Sequence, residues 1–307
     1  MTSPNSPNSP NPFLALRGTR VVSLALNLPG PAALMRLRAL GARCLKVEPP
    51  SLGAEPGGQP ISADPMKQYN RDCYDAMHEG IRVLAIDLKS ERGYARLARE
   101  LAGADLLITS FRPSALVKLG LAWPALHKAH PQLSMVEIVG APGARADEPG
   151  HDLTYQAEAG LIPGAQLPPT LLADMGGALM TTEAALACLL HARTTGKGQY
   201  RQVALSSAAQ WLALPRSWGM TLPGAMLGGA HAGYDVYPCR DGRVALAALE
   251  PHFARALFAQ VGLPPPDERA PFAPAARQAI AAWAAGKTRK QLDILAATHD
   301  IPLFTMK

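Results

Sequence analysis

The chain has 307 residues, of which 48% are hydrophobic and 18% charged, and its formal net charge is +6. This length can bury a large core in one domain or in two unequal domains, and the apolar runs are too short and too interrupted to predict a membrane span. The basic residues are spread thinly, without a Lys/Arg-rich run and interleaved aromatic residues, so a small anionic ligand fits the charge better than nucleic acid.

The N-terminal residues and the cysteines indicate a cytoplasmic protein. Residues 1–12 repeat Ser, Pro and Asn and have no apolar residue after Met1, so we predict a disordered tail, which we extend to residue 17. No signal sequence precedes the first predicted strand. The cysteines lack a CxxC motif and the spacing of metal ligands, and we interpret them as reduced, buried and small hydrophobic residues. They are Cys44, Cys73, Cys188 and Cys239.

The order of β-rich and helical runs predicts an α/β domain. The predicted strands are 20–26, 43–48, 82–88, 105–109, 134–139 and 200–205. Helices are predicted up to residue 40, at 91–102 and at 176–190. This alternation is typical of a Rossmann-like, mainly parallel sheet with helices on both faces. No GxGxxG or Walker pattern follows a strand, and the Gly- and Pro-rich stretch 49–79 predicts a long loop of the kind that is often functional.

A smaller α+β domain is predicted after a glycine-rich loop at 224–233. Strands at 234–238 and 243–248 flank Asp241-Gly242, a dipeptide that favours a hairpin. Three helices follow, at 251–261, 274–285 and 288–298. We therefore predict the tail at 1–17, a large ligand-binding domain at 18–225 and a small domain at 226–307.

Two titratable side chains lie at segment boundaries within residues 149–190. His151 lies in a Gly-His-Asp turn, and Asp174 lies where the N-cap of the helix at 176–190 is expected, with its carboxylate at the positive helix end. Small residues would let a substrate approach this helix end, and they are Ala173, Gly176, Gly177 and Ala178. The alternatives are that Asp174 is only a cap, worth about 1 kcal/mol, and that His151 is a surface turn residue.

Several motifs follow one another in a recognisable order between residues 18 and 262. They are GTRVVSLALNLPGP, LGARCLKVEPP, AIDLK, ADLLITSFRPSALVKLGL, HPQLSMVEIVG, GHDLTYQAEAG, LLADMGGALM, RTTGKGQ and GYDVYPCRDGRVALAALEPHF. This order resembles the family III CoA-transferases (the CaiB/BaiF family) and, most closely in its motifs, the α-methylacyl-CoA racemases. The resemblance implies an enzyme that acts on acyl-CoA thioesters, an interlocked homodimer, and coenzyme A present only as part of the substrate, with no permanently bound cofactor and no metal.

The resemblance also implies roles for individual residues. His151 and Asp174 match the acid/base pair of the racemases, and Glu250 matches a glutamate that orients the racemase histidine, although a residue before Pro251 also fits the start of a helix. The implied contacts with CoA are Asp87, Lys89, Arg112, Gly150, Asp152 and Tyr155. Lys89 and Arg112 also fit ordinary solvated charges at strand ends.

Three functions are compatible with these residues. We favour α-proton transfer on a 2-methylacyl-CoA, because a CoA-transferase would need only the carboxylate of Asp174 as a nucleophile and not His151. The helix dipole is expected to lower the pKa of Asp174, which suits the transferase. In the family that the sequence resembles, the chain continues past the position of Ile301-Pro302 and returns to the first domain. Most of this returning segment is missing from the present sequence, which ends at Lys307. A non-catalytic CoA-binding protein is therefore a third alternative. The acyl group and the acceptor stay open.

Overall fold

The structure, a computed structural model, describes residues 14–54 and 60–307 and divides into two compact units, the first ending at Ala213 and the second beginning at Leu214. Most of the predicted disordered tail, residues 1–13, lies outside the described residues. Its last residues do not fit that prediction, because Leu16 is buried and its backbone N–H donates a 2.9 Å hydrogen bond to the carbonyl of Leu40.

The first unit alternates strands and helices. Its elements are β1 Arg20–Ser23, α1 Pro29–Ala39, β2 Arg43–Glu48, β3 Pro50–Ala54, β4 Pro60–Ser62, α2 Pro65–Tyr69, α3 Arg71–His78, β5 Arg82–Ala85, α4 Glu91–Leu101, β6 Leu106–Thr109, α5 Pro113–Lys118, α6 Trp123–Ala129, β7 Ser134–Val139, α7 Asp152–Glu158, α8 Leu172–Thr195, β8 Tyr200–Ala204 and α9 Leu205–Leu212. All six strands predicted for this region are present, with ends that differ by three residues at most.

Six of these strands form one parallel sheet in the order β5-β2-β1-β6-β7-β8. Neighbouring residues of a strand point to opposite faces, and both faces are buried here: Val21 packs in one core cluster and Val22 in another. On β6, Ile108 likewise packs in the cluster of Val21, and Leu107 packs in the cluster of Val22. Helices therefore cover both faces, and the predicted Rossmann-like α/β fold is confirmed.

The second unit has a core of its own around a small antiparallel sheet. Its elements are α10 Leu214–Ser217, β9 Tyr234–Cys239, β10 Gly242–Ala247, α11 Pro251–Val261, α12 Pro274–Ala285, α13 Arg289–His299 and β11 Leu303–Met306. The predicted hairpin forms, and the sheet order is β11-β10-β9. The unit begins earlier than the predicted residue 226; in the glycine-rich segment, the Gly229 carbonyl accepts a hydrogen bond from Arg277 on α12.

Part of the sequence prediction is wrong in local structure. The predicted loop at 49–79 contains β3, β4, α2 and α3 in its described part, and α5, α6 and β11 were not predicted. Proline is the first residue of α2 and of α5 and the second residue of α6, and these positions suit a helix start, whereas a Pro-rich composition on its own predicts a loop. Cys44 and Cys188 are buried as predicted, whereas Cys73 and Cys239 are only half-buried.

Helix α8 is longer than the predicted 176–190, with 24 residues. By length and composition alone, this helix could cross a membrane. No such segment was predicted from the sequence, because the glycines and charged residues of this helix were counted as interruptions of its apolar run. Its small residues serve packing between helices. A side chain at Gly177 would collide with Leu205 on α9, and Ala178 packs against Ala32 and Ala33 on α1. Gly177 and Ala178 therefore have a packing role, while the approach of a substrate to this helix end stays a prediction.

Candidate active site

A cavity of about 150 Å³ lies where β1, β6 and β7 end at their carboxyl termini. The strand order reverses between β1 and β6, and ligands of open α/β sheets bind at such a switch point. The loops that follow these two strands are joined by a 3.1 Å hydrogen bond from the Leu26 backbone N–H to the Ser110 hydroxyl oxygen. The polar side chains in the cavity wall are Asn27, Ser110, Arg112, Glu148, His151, Tyr155 and Asp174.

The sequence predicted Asp174 as the N-cap of α8. In the structure, Asp174 instead lies inside the first turn of this helix. The helix begins at Leu172, and its N-cap, Leu171, makes no side-chain cap bond. The carboxylate of Asp152, from α7, accepts the backbone N–H of Asp174 at 2.9 Å. One of the unpaired N–H groups of the helix end is thereby satisfied from a neighbouring helix, and the carboxyl group of Asp174 lines the cavity.

The carboxyl group of Asp174 has an unusual acidity. Its pKa is raised to about 7, mainly by burial and to a smaller extent by the negative charge of Asp152. The pKa is thus shifted in the direction opposite to the lowering that the helix dipole predicted, because burial removes the solvent that would stabilise the carboxylate. Near neutral pH this group can therefore both hold and release a proton.

His151 lines the same cavity as Asp174 and is exposed to solvent. It stands at the N-cap position of α7. The Thr154 hydroxyl donates to the His151 carbonyl at 2.7 Å and accepts the His151 backbone N–H at 3.2 Å, which fixes the backbone that carries the imidazole. The structure thus brings two titratable side chains to one cavity, while their catalytic roles stay predictions.

Tyr155 is held in the cavity wall by two glycines. A methyl group at Gly140 or at Gly150 would collide with the Tyr155 hydroxyl oxygen, so both glycines are required for this position of the ring. Burial raises the pKa of Tyr155, and the nearby Asp174 raises it as well. The phenol therefore stays protonated at neutral pH and can donate a hydrogen bond.

The residues predicted to contact CoA lie at different places. Arg112, Gly150 and Tyr155 line the cavity. Asp152 is buried, and its second carboxylate oxygen accepts a 2.5 Å hydrogen bond from Gln156, so the structure gives it a supporting role that the sequence did not indicate.

Two other predicted contacts, Asp87 and Lys89, are not among the lining residues of the cavity. Both are exposed near the start of α4, where the Asp87 carboxylate accepts the Lys89 backbone N–H at 3.0 Å. Glu250 belongs to the second unit, where it is exposed at the N-cap of α11. For these three residues, the roles implied by the resemblance stay predictions.

Three polar residues of the cavity wall were not predicted from the sequence: Asn27, Ser110 and Glu148. Asn27 and Ser110 follow β1 and β6, the two central strands, and a polar residue after such a strand is the signal that could have identified them. Within residues 14–54 and 60–307, no group of three or more His, Cys, Asp or Glu side chains could hold a metal ion.

Comparison with known proteins gives a consistent result. A sequence model of CoA-transferase family III matches residues 16–306. The chain is 31% identical over 257 residues to a succinate–glutarate CoA-transferase of Agrobacterium fabrum, a match that covers 78% of this chain and 64% of that protein. It is 30% identical over 268 residues to the α-methylacyl-CoA racemase of Homo sapiens, covering 81% of this chain and 65% of the racemase.

A solved structure supports the same relationship. The crystal structure of the hypothetical protein Rv3272 of Mycobacterium tuberculosis superposes with a TM-score of 0.77 at 27% identity, covering 96% of this chain and 84% of that chain. The chain spans less than two thirds of the length of the curated relatives named above. Because these relatives include both a transferase and a racemase, similarity alone does not distinguish the two reactions.

Proposed function

Because the chain belongs to CoA-transferase family III, we propose that it catalyses α-proton transfer on a 2-methylacyl-CoA thioester, a reaction of the racemase or epimerase type. The observation that carries this proposal is one cavity lined by both His151 and Asp174, the latter with a pKa raised to about 7. A group that transfers protons is most effective when its pKa lies near the working pH.

The reaction needs one base and one acid on opposite sides of the α-carbon. The base takes the α-proton, and the electron pair of the C–H bond moves into the thioester to form an enolate. The acid then returns a proton to the other face, and the thioester carbonyl is restored. His151 and Asp174 exchange the two roles when the opposite enantiomer reacts.

The cavity supports binding of only the reacting end of the substrate. Its volume of about 150 Å³ is small for a whole acyl-CoA, so the nucleotide would lie outside it. Arg112 lines the cavity and is exposed, and an arginine can bind a phosphate of CoA through two parallel hydrogen bonds. Coenzyme A would enter as part of the substrate, without a permanently bound cofactor.

We also propose that the protein works as a homodimer. Several large apolar side chains are exposed at the N-cap of α8 and along this helix, which is otherwise packed in the core, and they are Leu171, Met175, Leu179, Leu186 and Leu190. Their spacing of four or seven residues places them along one side of the helix. Such a row suits contact with a second copy of the chain, and light scattering that shows a monomer would contradict the proposed homodimer.

CoA transfer between an acyl-CoA and a carboxylic acid is the second candidate. The similarity to a CoA-transferase supports it. In that reaction the Asp174 carboxylate attacks the thioester carbonyl, CoA leaves as the thiolate, and an acyl-aspartyl anhydride forms. The raised pKa makes the ionised form of Asp174 less abundant at neutral pH, which favours proton transfer over this route.

The two candidates differ in what happens without an acceptor. The protein is incubated with a 2-methylacyl-CoA of known configuration in deuterium oxide, and the thioester is analysed by mass spectrometry. Proton transfer predicts one deuterium at the α-carbon and loss of configuration in the absence of any free acid. CoA transfer predicts no deuterium at the α-carbon with or without a free carboxylic acid, and it predicts that the CoA thioester of that acid appears once the acid is added.

A further inference from the structure

Asn27 has a backbone conformation that is unusual for a residue with a side chain. Its φ is 62°, and within the described residues only Asn27 and Asp300 combine a positive φ with a side chain. The left-handed region is unfavourable for residues other than glycine, although Asn tolerates it better than most. Asn27 follows β1 and lines the cavity that His151 and Asp174 share.

A buried network of charges holds this conformation. The Asp64 carboxylate accepts the backbone N–H of Asn27 at 3.2 Å and also that of Met66 at 2.9 Å. Asp64 forms an ion pair with Lys46, whose ammonium group lies 2.8 Å from the carboxylate of Glu48. The side chains of all three charged residues are fully buried. Buried charges are retained only where their partners satisfy them, so this network is a rigid support for the loop at Asn27.

The carboxamide of Asn27 is available for a ligand. It makes no hydrogen bond with another residue of the described chain, although Asn27 is partly buried and lies in the cavity wall. If the left-handed conformation were the only requirement, glycine would meet it with less strain. Strained conformations that a surrounding network enforces occur preferentially at functional sites.

Building on the proposed function, we propose that Asn27 is a further catalytic residue, whose carboxamide N–H donates a hydrogen bond to the thioester carbonyl oxygen of the substrate. Negative charge develops on that oxygen in an enolate and equally in the tetrahedral intermediate of CoA transfer. A fixed donor in a partly buried site stabilises this charge in the transition state more than in the bound substrate. The same role therefore applies to either reaction.

Three variants separate this role from a purely conformational one. Asn27→Gly keeps the left-handed backbone and removes the donor, and Asn27→Asp keeps the shape and removes the donor. Asp300→Gly is the matched control, because it makes the same kind of backbone change at the other positive-φ position, in the second unit. Loss of one such donor typically lowers kcat about 100- to 1,000-fold.

We expect both Asn27 variants to lose kcat by that factor with little change in KM, and Asp300→Gly to keep the wild-type kcat. Full activity of Asn27→Gly, with an unchanged or higher melting temperature, would overturn the proposal and leave a conformational role for Asn27. Circular dichroism and the melting temperature show whether each variant is folded.

A second measurement does not depend on turnover. A 2-methylacyl-CoA with a ¹³C-labelled carbonyl is bound to Asp174→Asn and to the double variant Asp174→Asn/Asn27→Gly, and the carbonyl stretch is recorded by infrared difference spectroscopy. We expect a lower frequency in the single variant than in the double variant, because a hydrogen bond weakens the carbonyl bond. Equal frequencies would overturn the role of Asn27 even if the wild type is active. An inactive wild type with different frequencies would instead contradict the proposed function alone.

Discussion

The carboxylate of Asp152 accepts the backbone N–H of Asp174 at 2.9 Å, so the residue that completes the end of α8 also places a negative charge next to the carboxyl group in the cavity. This charge is one of the two causes that raise the pKa of Asp174, the larger being burial. One contact thus links the start of a core helix to the acidity of the proposed catalytic group.

Asp152→Asn should separate these two effects. The amide oxygen can still accept the N–H of Asp174, while the negative charge is lost, so the pKa of Asp174 should fall. Because burial is the larger cause and remains, the pKa should not fall to the ordinary aspartate value. The measurement is the pH dependence of kcat for α-proton exchange, whose limb assigned to Asp174 should move to lower pH. Glu158→Gln, which removes an exposed carboxylate from the same helix, should leave that limb in place.

The raised pKa of Asp174 also predicts how stability depends on pH. Its ordinary value is 3.8, and its value in the folded protein is about 7. Between these values the unfolded chain releases the proton that the folded chain retains, so the free energy of unfolding should fall as the pH rises from about 4 to about 7. Asp174→Asn removes this contribution. Its melting temperature relative to the wild type should therefore increase between pH 4 and pH 7, and a constant difference would contradict the raised pKa.

The position of Tyr155 predicts a rescue experiment. Gly140→Ala places a methyl group against the Tyr155 hydroxyl and should destabilise the protein by about 1 to 3 kcal/mol. Adding Tyr155→Phe removes the hydroxyl and should restore most of that stability. Gly150→Ala should not be rescued in this way, because its methyl group would also lie 2.7 Å from the ring carbons Cε1 and Cζ. Thermal unfolding of the single and double variants measures both outcomes.

Arg112 provides a test of the CoA phosphate contact. Arg112→Gln should weaken CoA binding about 10- to 150-fold, since a charge-assisted hydrogen bond contributes about 1.5 to 3 kcal/mol. The affinity of this variant for CoA should also fall less on adding salt than that of the wild type, because salt weakens contacts between charged groups. Arg96→Gln, which changes an exposed arginine of α4, is the matched control and should change neither quantity. Titration calorimetry at low and high salt decides, and equal behaviour of the two variants would remove Arg112 from the binding site.

The fold was predictable because its main strands carry clear local signals. The apolar runs around Val22, Leu107 and Met135 indicate strands buried on both faces, and the helices between them imply parallel pairing. Asp241-Gly242 identified the hairpin of the second unit for a similar local reason. The strands and helices within 49–79 were not predicted, because a helix that starts with proline resembles a loop in composition. Strand β11 was not predicted because its partner, β10, lies far away in sequence.

The site was only partly predictable, because its chemistry depends on contacts that are distant in sequence. His151 and Asp174 could be singled out by their segment boundaries and by motif, and both line the cavity. The pKa of Asp174 could not be predicted, since it depends on burial and on Asp152, which precedes it by 22 residues. The cap role was likewise misassigned, because a carboxylate from another helix bonds the first turn of α8. Asn27 was missed because its strain and its bond to Asp64 exist only in the folded chain.

The most direct test of the proposed reaction compares His151→Ala and Asp174→Ala in deuterium oxide with the separate enantiomers of a 2-methylacyl-CoA. If each side chain serves one face of the α-carbon, the initial rate of α-deuterium incorporation should fall mainly for one enantiomer in His151→Ala and mainly for the other in Asp174→Ala. A positioned general base contributes about 100- to 10,000-fold, so the two biases should be clear. Proton transfer would be contradicted if neither the wild type nor either variant exchanged the α-proton. If His151→Ala also transferred CoA at the wild-type rate while Asp174→Ala transferred none, Asp174 would be identified as a nucleophile.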